Sequence, residues 1–262
     1  SRLARLCLDV ERFCRDRLKM QDSRAWLLAV SGGADSTALL CIMTLLAPRH
    51  GWLLYVATVD HQLRPESAGD AAFVAGLCRT WHIPCRILTA DVSRLARQNG
   101  LGTEEAARRA RYALLEQARR VCGATAILLG HHRGDVAEDQ MLRFLRGTGW
   151  PALGGMRAED AERHLLRPLL CTESRVLKDL LHHCGITWRE DASNADIRYT
   201  RNRLKDPQMV FDETIILLAT CLAIAFGFII VDVASRSIMH AMKREYHISK
   251  SALNLPLIGG KK

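Results

Sequence analysis

Apolar runs at residues 26–30, 53–59, 85–88 and 126–130 recur along the first half of the chain. The first, second and fourth are almost unbroken, as strands covered on both faces should be. Between the runs the period changes to that of a helix. Leu3, Leu6, Val10, Phe13 and Leu18 alternate with Arg and Asp and make one amphipathic helix. Leu39, Leu40, Met43 and Leu46 recur behind the first strand, and residues 66–81 form the next helix. Residues 102–121 open on Thr103, Glu104 and Glu105, a good helix start. Here Ala106, Ala107, Ala110, Ala113, Leu114 and Ala118 are expected to make one packing face. A further helix follows residues 131–138 and packs through 142–145. Pro168 keeps residues 165–170 extended, and residues 172–183 are helical. Strands that alternate with helices give an α/β fold, an open parallel sheet with helices on both faces.

The pattern breaks at residues 214–231, TIILLATCLAIAFGFIIV, which carry no charge. That length is close to the ~20 residues of a membrane-spanning helix. Basic residues lie on both sides of it, so no orientation is legible. A buried helix of a small accessory domain, a dimer contact, and unrelated coding sequence are the other readings. The chain therefore divides into a domain at 1–204 and a C-terminal tail at 205–262, whose apolar helix at 214–231 is membrane-spanning or buried.

Candidate chemistry gathers where the strands end. Ser31, Gly32, Gly33, Ala34, Asp35 and Ser36 follow the first strand. The glycines let the backbone turn tightly and approach a ligand, and Asp35, Ser36 and Thr37 open a helix well. A glycine loop running into a helix start presents N–H groups and the positive dipole end to a phosphate. No Gly-Lys-Ser/Thr follows, and no third glycine stands at the dinucleotide offset, so neither common phosphate fingerprint applies. A plain strand-to-helix turn is the competing explanation. Asp60 and His61 end the second strand, and ligands of parallel sheets collect at such ends. His132, Asp135 and Glu138 follow the fourth strand at spacings of three and stack on one face if the helix starts early. They suit a magnesium–pyrophosphate contact or proton handling, against a reading as acids that offset the helix dipole. Arg108, Arg111 and Tyr112 lie together on one face of the helix at 102–121. They form either a solvated basic face or a clamp for phosphate.

Charge and cysteine content add little but exclude some classes. The net charge is +9 and the surplus is mostly arginine, which permits a nucleic-acid partner. Nine cysteines are scattered with no Cys-x-x-Cys pair, so disulfides, structural zinc and a cysteine-held cluster lack support. A reducing cytoplasm fits, no signal peptide leads the chain, and a first residue of Ser suits a start inside its gene product.

The strings SGGADS (31–36), VDHQLRPES (59–67), EEAARRARY (104–112), GHHRGDVAE (130–138), RFLRGTG (143–149), LGGM (153–156), RPLL (167–170), DASNAD and YTRNRL (191–204) occur in one order. In that order and spacing, down to residue 204, the chain resembles the tRNA(Ile)-lysidine synthetase family of the PP-loop ATP pyrophosphatases. The resemblance implies a cytoplasmic ligase that uses ATP and Mg2+. It would adenylate C2 of the wobble cytidine in tRNA(Ile) with a CAU anticodon, join free lysine there, and release pyrophosphate and AMP. It places ATP on Ser31, Gly32, Gly33, Ala34, Asp35 and Ser36 with Asp60 and His61, and the metal at Asp35 and Asp135. Catalysis would fall to Asp35, Arg108, Arg111, His132, Asp135 and Glu138, and tRNA contacts to Arg146, Arg167, Arg201, Asn202 and Arg203. A homodimer, and a membrane tether through 214–231, are further expectations.

Two positions depart from the family pattern. Gly134 stands where the first of two aspartates is usual, and Asp139 where threonine is usual, so Asp139 is a candidate substitute for the lost carboxylate. The alternatives are another PP-loop tRNA-modifying enzyme and an inactive RNA-binding relative. A thiolase of this class should carry paired cysteines, and an amidotransferase-linked synthetase an ammonia source; neither is visible. Gly134 and the unmatched tail favour the inactive relative, and the intact SGGADS and arginine helix oppose it.

Overall fold

The computed structural model describes residues 2–62, 67–147 and 154–190. Thirteen elements follow in order among them: α1 (Arg2–Arg12), β1 (Ala25–Ala29), α2 (Ala34–His50), β2 (Leu53–Asp60), α3 (Ser67–Thr80), β3 (Cys85–Thr89), α4 (Val92–Asn99), α5 (Thr103–Val121), β4 (Ala126–Leu129), α6 (Arg133–Leu145), β5 (Glu159–Asp160), β6 (Leu165–Leu166) and α7 (Ser174–His183). The sheet order is β3-β2-β1-β4-β6-β5, parallel except for the edge pair β5 and β6. β1 is central: Leu28 lies opposite Val56 on one side and Leu128 on the other.

Alternation along the strands sorts the core into two layers. Trp26, Leu28, Val56, Leu128 and Leu166 turn toward α1, α2, α3 and α7. Leu27, Ala57, Ile127, Leu129 and Leu165 turn to the other face, where Leu115 and Ala118 of α5 cover them. The chain moves outward from β1 through β2 to β3 with α2 and α3 on one face, then returns through α5 on the other to reach β4. Right-handed crossovers require that change of face where the strand order reverses. In open parallel sheets ligands bind in the crevice at such a reversal, which here falls at the carboxyl ends of β1 and β4.

Several expectations need adjustment. The amphipathic N-terminal helix is regular to Arg12 and then widens into a π turn, Phe13–Arg17, that keeps Cys14 and Leu18 both in the core. α4 was not anticipated; at eight residues, its periodicity is too short to register. It packs on Ala107, Ala110 and Leu114 through Val92 and Ala96, while Leu115 and Ala118 serve the sheet. α5 thus has two packing faces rather than one, and Ala113 is exposed. Residues 165–170 are extended only through β6, after which Pro168–Cys171 form a 3-10 turn. The apolar stretch 214–231 lies outside the described residues. No helix among the described residues is long and apolar enough to cross a membrane.

Candidate functional site

The loop after β1 is held by its own hydroxyls. Ser36 Oγ donates to the Gly33 carbonyl at 3.0 Å and lies 3.2 Å from both the amide and the hydroxyl of Ser31. The buried Thr37 Oγ1 donates to the Gly32 carbonyl at 3.3 Å. Gly32 has φ +89°, a conformation that favours glycine, although a Cβ there would meet Val74 only at an ordinary contact distance of 3.4 Å. No side chain caps α2. Its first N–H groups, from Ala34 to Ser36, therefore have no intrahelical acceptor and face the crevice side with the positive dipole end.

A second loop, after β4, closes on the first. Gly130 passes so near α2 that a Cβ would stand 2.9 Å from Ser36 Cα and 3.0 Å from its amide nitrogen. His132 is the N-cap of α6, so the helix does begin early enough to set Asp135 and Glu138 one turn apart. The Asp135 carboxylate accepts the His132 amide at 2.8 Å. The His132 ring stands between two carboxylates, with Nε2 3.6 Å from Asp35 and Nδ1 3.6 Å from Asp135, and Nδ1 has no hydrogen-bond partner among the described residues. Gly134 makes room for that ring: a Cβ there would lie 2.8 Å from His132 Cε1. Asp139, the candidate substitute carboxylate, instead pairs with Arg143 at 2.8 Å along α6.

A third segment completes the ring of contacts. Ser174, first residue of α7, donates its hydroxyl to Asp35 Oδ1 at 2.9 Å. Arg133 is tied to the same segment through the Thr172 and Cys171 carbonyls, both at 2.9 Å. Arg189 N–H donates to the Gly32 carbonyl at 2.9 Å. Gly130, Ser174 and Arg189 were missed as site residues. Gly130 was visible beside the histidines as a small residue at a strand end, whereas nothing local marks Ser174 or Arg189.

On the α5 side, Asp60 is committed to structure. Its Oδ1 accepts the Gln62 amide at 2.9 Å and the Ser67 hydroxyl at 2.6 Å, tying the end of β2 to α3. His61 has its pKa lowered by burial and then by the nearby Arg111, so the neutral ring is favoured, and its buried Nδ1 finds no partner among the described residues. Arg108 and Arg111 lie 5.2 and 5.4 Å from the Tyr112 ring centroid. Arg167, expected at an RNA surface, is only 6% exposed. It donates to the Arg157 carbonyl at 2.7 Å and to His131 Nδ1 at 3.2 Å, and burial lowers its pKa. Its fork is spent inside the protein, where it fixes the His131 ring with the proton on Nε2. Arg146 is exposed at the end of α6. Arg201, Asn202 and Arg203 lie outside the described residues.

The donor set bears on a metal. No group of three His, Cys, Asp or Glu among the described residues forms a ready-made ion site. Magnesium often takes only one or two carboxylates and completes its octahedron with phosphate oxygens and water. Asp35, part-exposed at the start of α2, fits that kind of contact. Asp135 has one oxygen already engaged by the His132 amide.

Residues 6–210 match the PP-loop domain family. A curated tRNA(Ile)-lysidine synthase from Nitratidesulfovibrio vulgaris is 50% identical over 179 residues, which are 68% of this chain and 52% of that protein. Another, from Novosphingobium aromaticivorans, is 42% identical over 200 residues, 74% of this chain and 59% of that one. The chain thus spans little more than half the length of these relatives. Among solved structures, the U34-tRNA thiolase NcsA of Methanococcus maripaludis, described with its [4Fe-4S] cluster, superimposes with a TM-score of 0.57 at 15% identity. That match covers 72% of this chain and 66% of the thiolase, and is a likeness of fold alone. With a glycine loop at the switch point of a parallel sheet and a match that runs over most of its length, the chain belongs to the PP-loop domain family.

Proposed function

We propose that the protein is the catalytic portion of a tRNA(Ile)-lysidine synthase. In this reading ATP lies with its phosphates along residues 31–36. The C2 oxygen of the wobble cytidine in a CAU anticodon attacks the α-phosphate, and the bond to pyrophosphate breaks. The ε-amine of free lysine then attacks the activated C2 carbon, loses a proton, and AMP leaves. Such chemistry asks for alignment and for neutralisation of developing negative charge more than for a covalent helper. The N–H groups at the start of α2 suit the leaving pyrophosphate, and Arg108 and Arg111 suit the RNA strand on which the adenylate forms. Mg2+, where bound, would be held by Asp35 with help from Asp135 and would offset pyrophosphate charge. His132 and Glu138 line the same end of β4 and α6 as groups able to hold a proton, and His61 is a neutral donor or acceptor for the nucleotide. Arg146, Arg201, Asn202 and Arg203 are the RNA contacts of this reading.

The observation that carries it is the convergence on Asp35: the glycine loop, His132 from the second loop and Ser174 from the third meet at one carboxylate. The likeness to the lysidine synthases supplies the substrates. The test is an incubation of the full chain with ATP, labelled lysine and tRNA bearing a CAU anticodon. Pyrophosphate release that depends on the RNA, with label entering the RNA, is expected, and Asp35→Ala should abolish both. RNA binding without turnover would instead identify an inactive relative.

A further inference from the structure

α5 carries arginines of two kinds. Arg109 meets Glu105 at 2.7 Å, and Arg119 and Arg120 each meet Glu116 at 2.7 Å. Arg108 and Arg111 have no carboxylate partner among the described residues; both instead lie against the Tyr112 ring. A third guanidinium reaches that ring from elsewhere in the chain. Arg163, in the turn between β5 and β6, places its guanidinium carbon 5.7 Å from the same centroid. Its side chain is 60% exposed, and its nearest carboxylate, Asp160, is 4.0 Å away. Arg167 lies close enough for Arg108 and Arg163 to act on its charge.

One aromatic face accounts for one cation, worth about 0.5–1 kcal/mol at an exposed site. It does not account for three like charges brought to a single ring while the rest of the helix neutralises its own. The arrangement lacks an anion. Guanidinium forks match phosphate oxygens two at a time, and three of them around a rigid platform define a pocket for one phosphate. The position is also informative. Arg111 is near enough to act on His61, just past the end of β2, so the cluster lies toward the carboxyl end of that strand, on the α5 face of the sheet.

We propose that Arg163 joins Arg108 and Arg111 around Tyr112 in a cradle for a backbone phosphate of the RNA. The inference rests on the RNA substrate proposed above but not on the reaction. A phosphate contact fixes register and carries no base information, so it serves tRNA of any anticodon equally.

The test is the salt dependence of tRNA binding to the full chain, measured for Arg163→Gln, Arg163→Lys and wild type, on CAU-anticodon tRNA and on an unrelated tRNA. Arg163→Gln should weaken both RNAs about 3- to 10-fold at low salt and reduce the slope of log K against log salt by about one. Arg163→Lys should keep the slope. ATP affinity should not follow the RNA effect, and Arg79→Gln, which removes an exposed charge from α3 on the opposite face, should leave the slope unchanged. An unchanged slope in Arg163→Gln overturns the cradle, as does lost ATP affinity with the RNA slope intact, which would assign the anion to the nucleotide. A wild-type chain that binds RNA with the full slope but transfers no lysine would sink the reaction and leave the cradle. Lysine transfer with an unaltered slope in Arg163→Gln would do the reverse.

Discussion

At the scale of single residues, the most exacting position is one with no side chain. Gly130 lets α2 approach the end of β4, and a methyl group would have to displace backbone atoms of Asp35 and Ser36 at 2.9–3.1 Å. Backbone gives less readily than a side chain, so Gly130→Ala should push the helix start, with its N–H groups and Asp35, out of place. A shift of about 1 Å can cost on the order of a hundredfold in rate. RNA-dependent pyrophosphate release should fall by about that factor. Gly76→Ala makes the contrast: it lies inside α3 with nothing within 4 Å of the added Cβ, and should raise stability by about 0.5–1 kcal/mol in a denaturant titration. An active Gly130→Ala would show that the loops do not need to touch. The sequence displayed the glycine loop and the acidic residues because each sits in a local string. It could not display Ser174, which meets Asp35 across 139 positions of chain. It misassigned Arg167 for a related reason: arginine defaults to the surface, and the carbonyl and imidazole that allow its burial come from residues 157 and 131.

At the scale of elements, α5 was legible as a helix and less so as a surface. Its alanines promised one packing stripe; α4 takes one part of it and the sheet another, and the eight residues of α4 gave no separate signal. Its charges are more telling. Glu116 accepts from Arg119 and Arg120, and these hydrogen bonds, Arg119 first, hold its pKa down at about 2 against an ordinary 4.5. A carboxylate with a depressed folded pKa adds stability that is fully present above about 4.5 and is lost as pH falls toward 2. Urea midpoints measured between those limits should therefore fall more steeply in wild type than in Glu116→Gln, and the two curves should converge at the acid end. Parallel curves would mean that the Glu116 interactions survive unfolding or contribute nothing. Neither Arg108 nor Arg111 takes part in that pairing, which leaves both available for the phosphate proposed above.

For the whole molecule, the alternation of runs and periods was enough to give a parallel sheet with both faces covered, but not its strand order: the runs that became β1, β2 and β4 are alike in apolar character, and only the pairing places β1 and β4 in the middle. Of the edge pair, β5 escaped notice and β6 was legible only as an extended stretch, because two residues per strand carry no period. The same architecture makes a global prediction. Three loops that leave different strands and helices meet at Asp35, so a ligand seated there bridges elements far apart in sequence and should stabilise them together. An ATP analogue with a non-cleavable bridge between the α- and β-phosphates, at a hundred times its Kd, should add about 2.7 kcal/mol. For a domain of this size each kcal/mol raises Tm by roughly 2–4 °C, so the shift should be about 5–10 °C. Gly130→Ala should lose most of that shift while keeping a cooperative transition, since its defect lies in how the loops meet and not in the two packed layers. If the analogue bound with full affinity yet left the melting of wild type unmoved, the loops would be separable from the core, and the ring of contacts around Asp35 would have no part in holding the nucleotide.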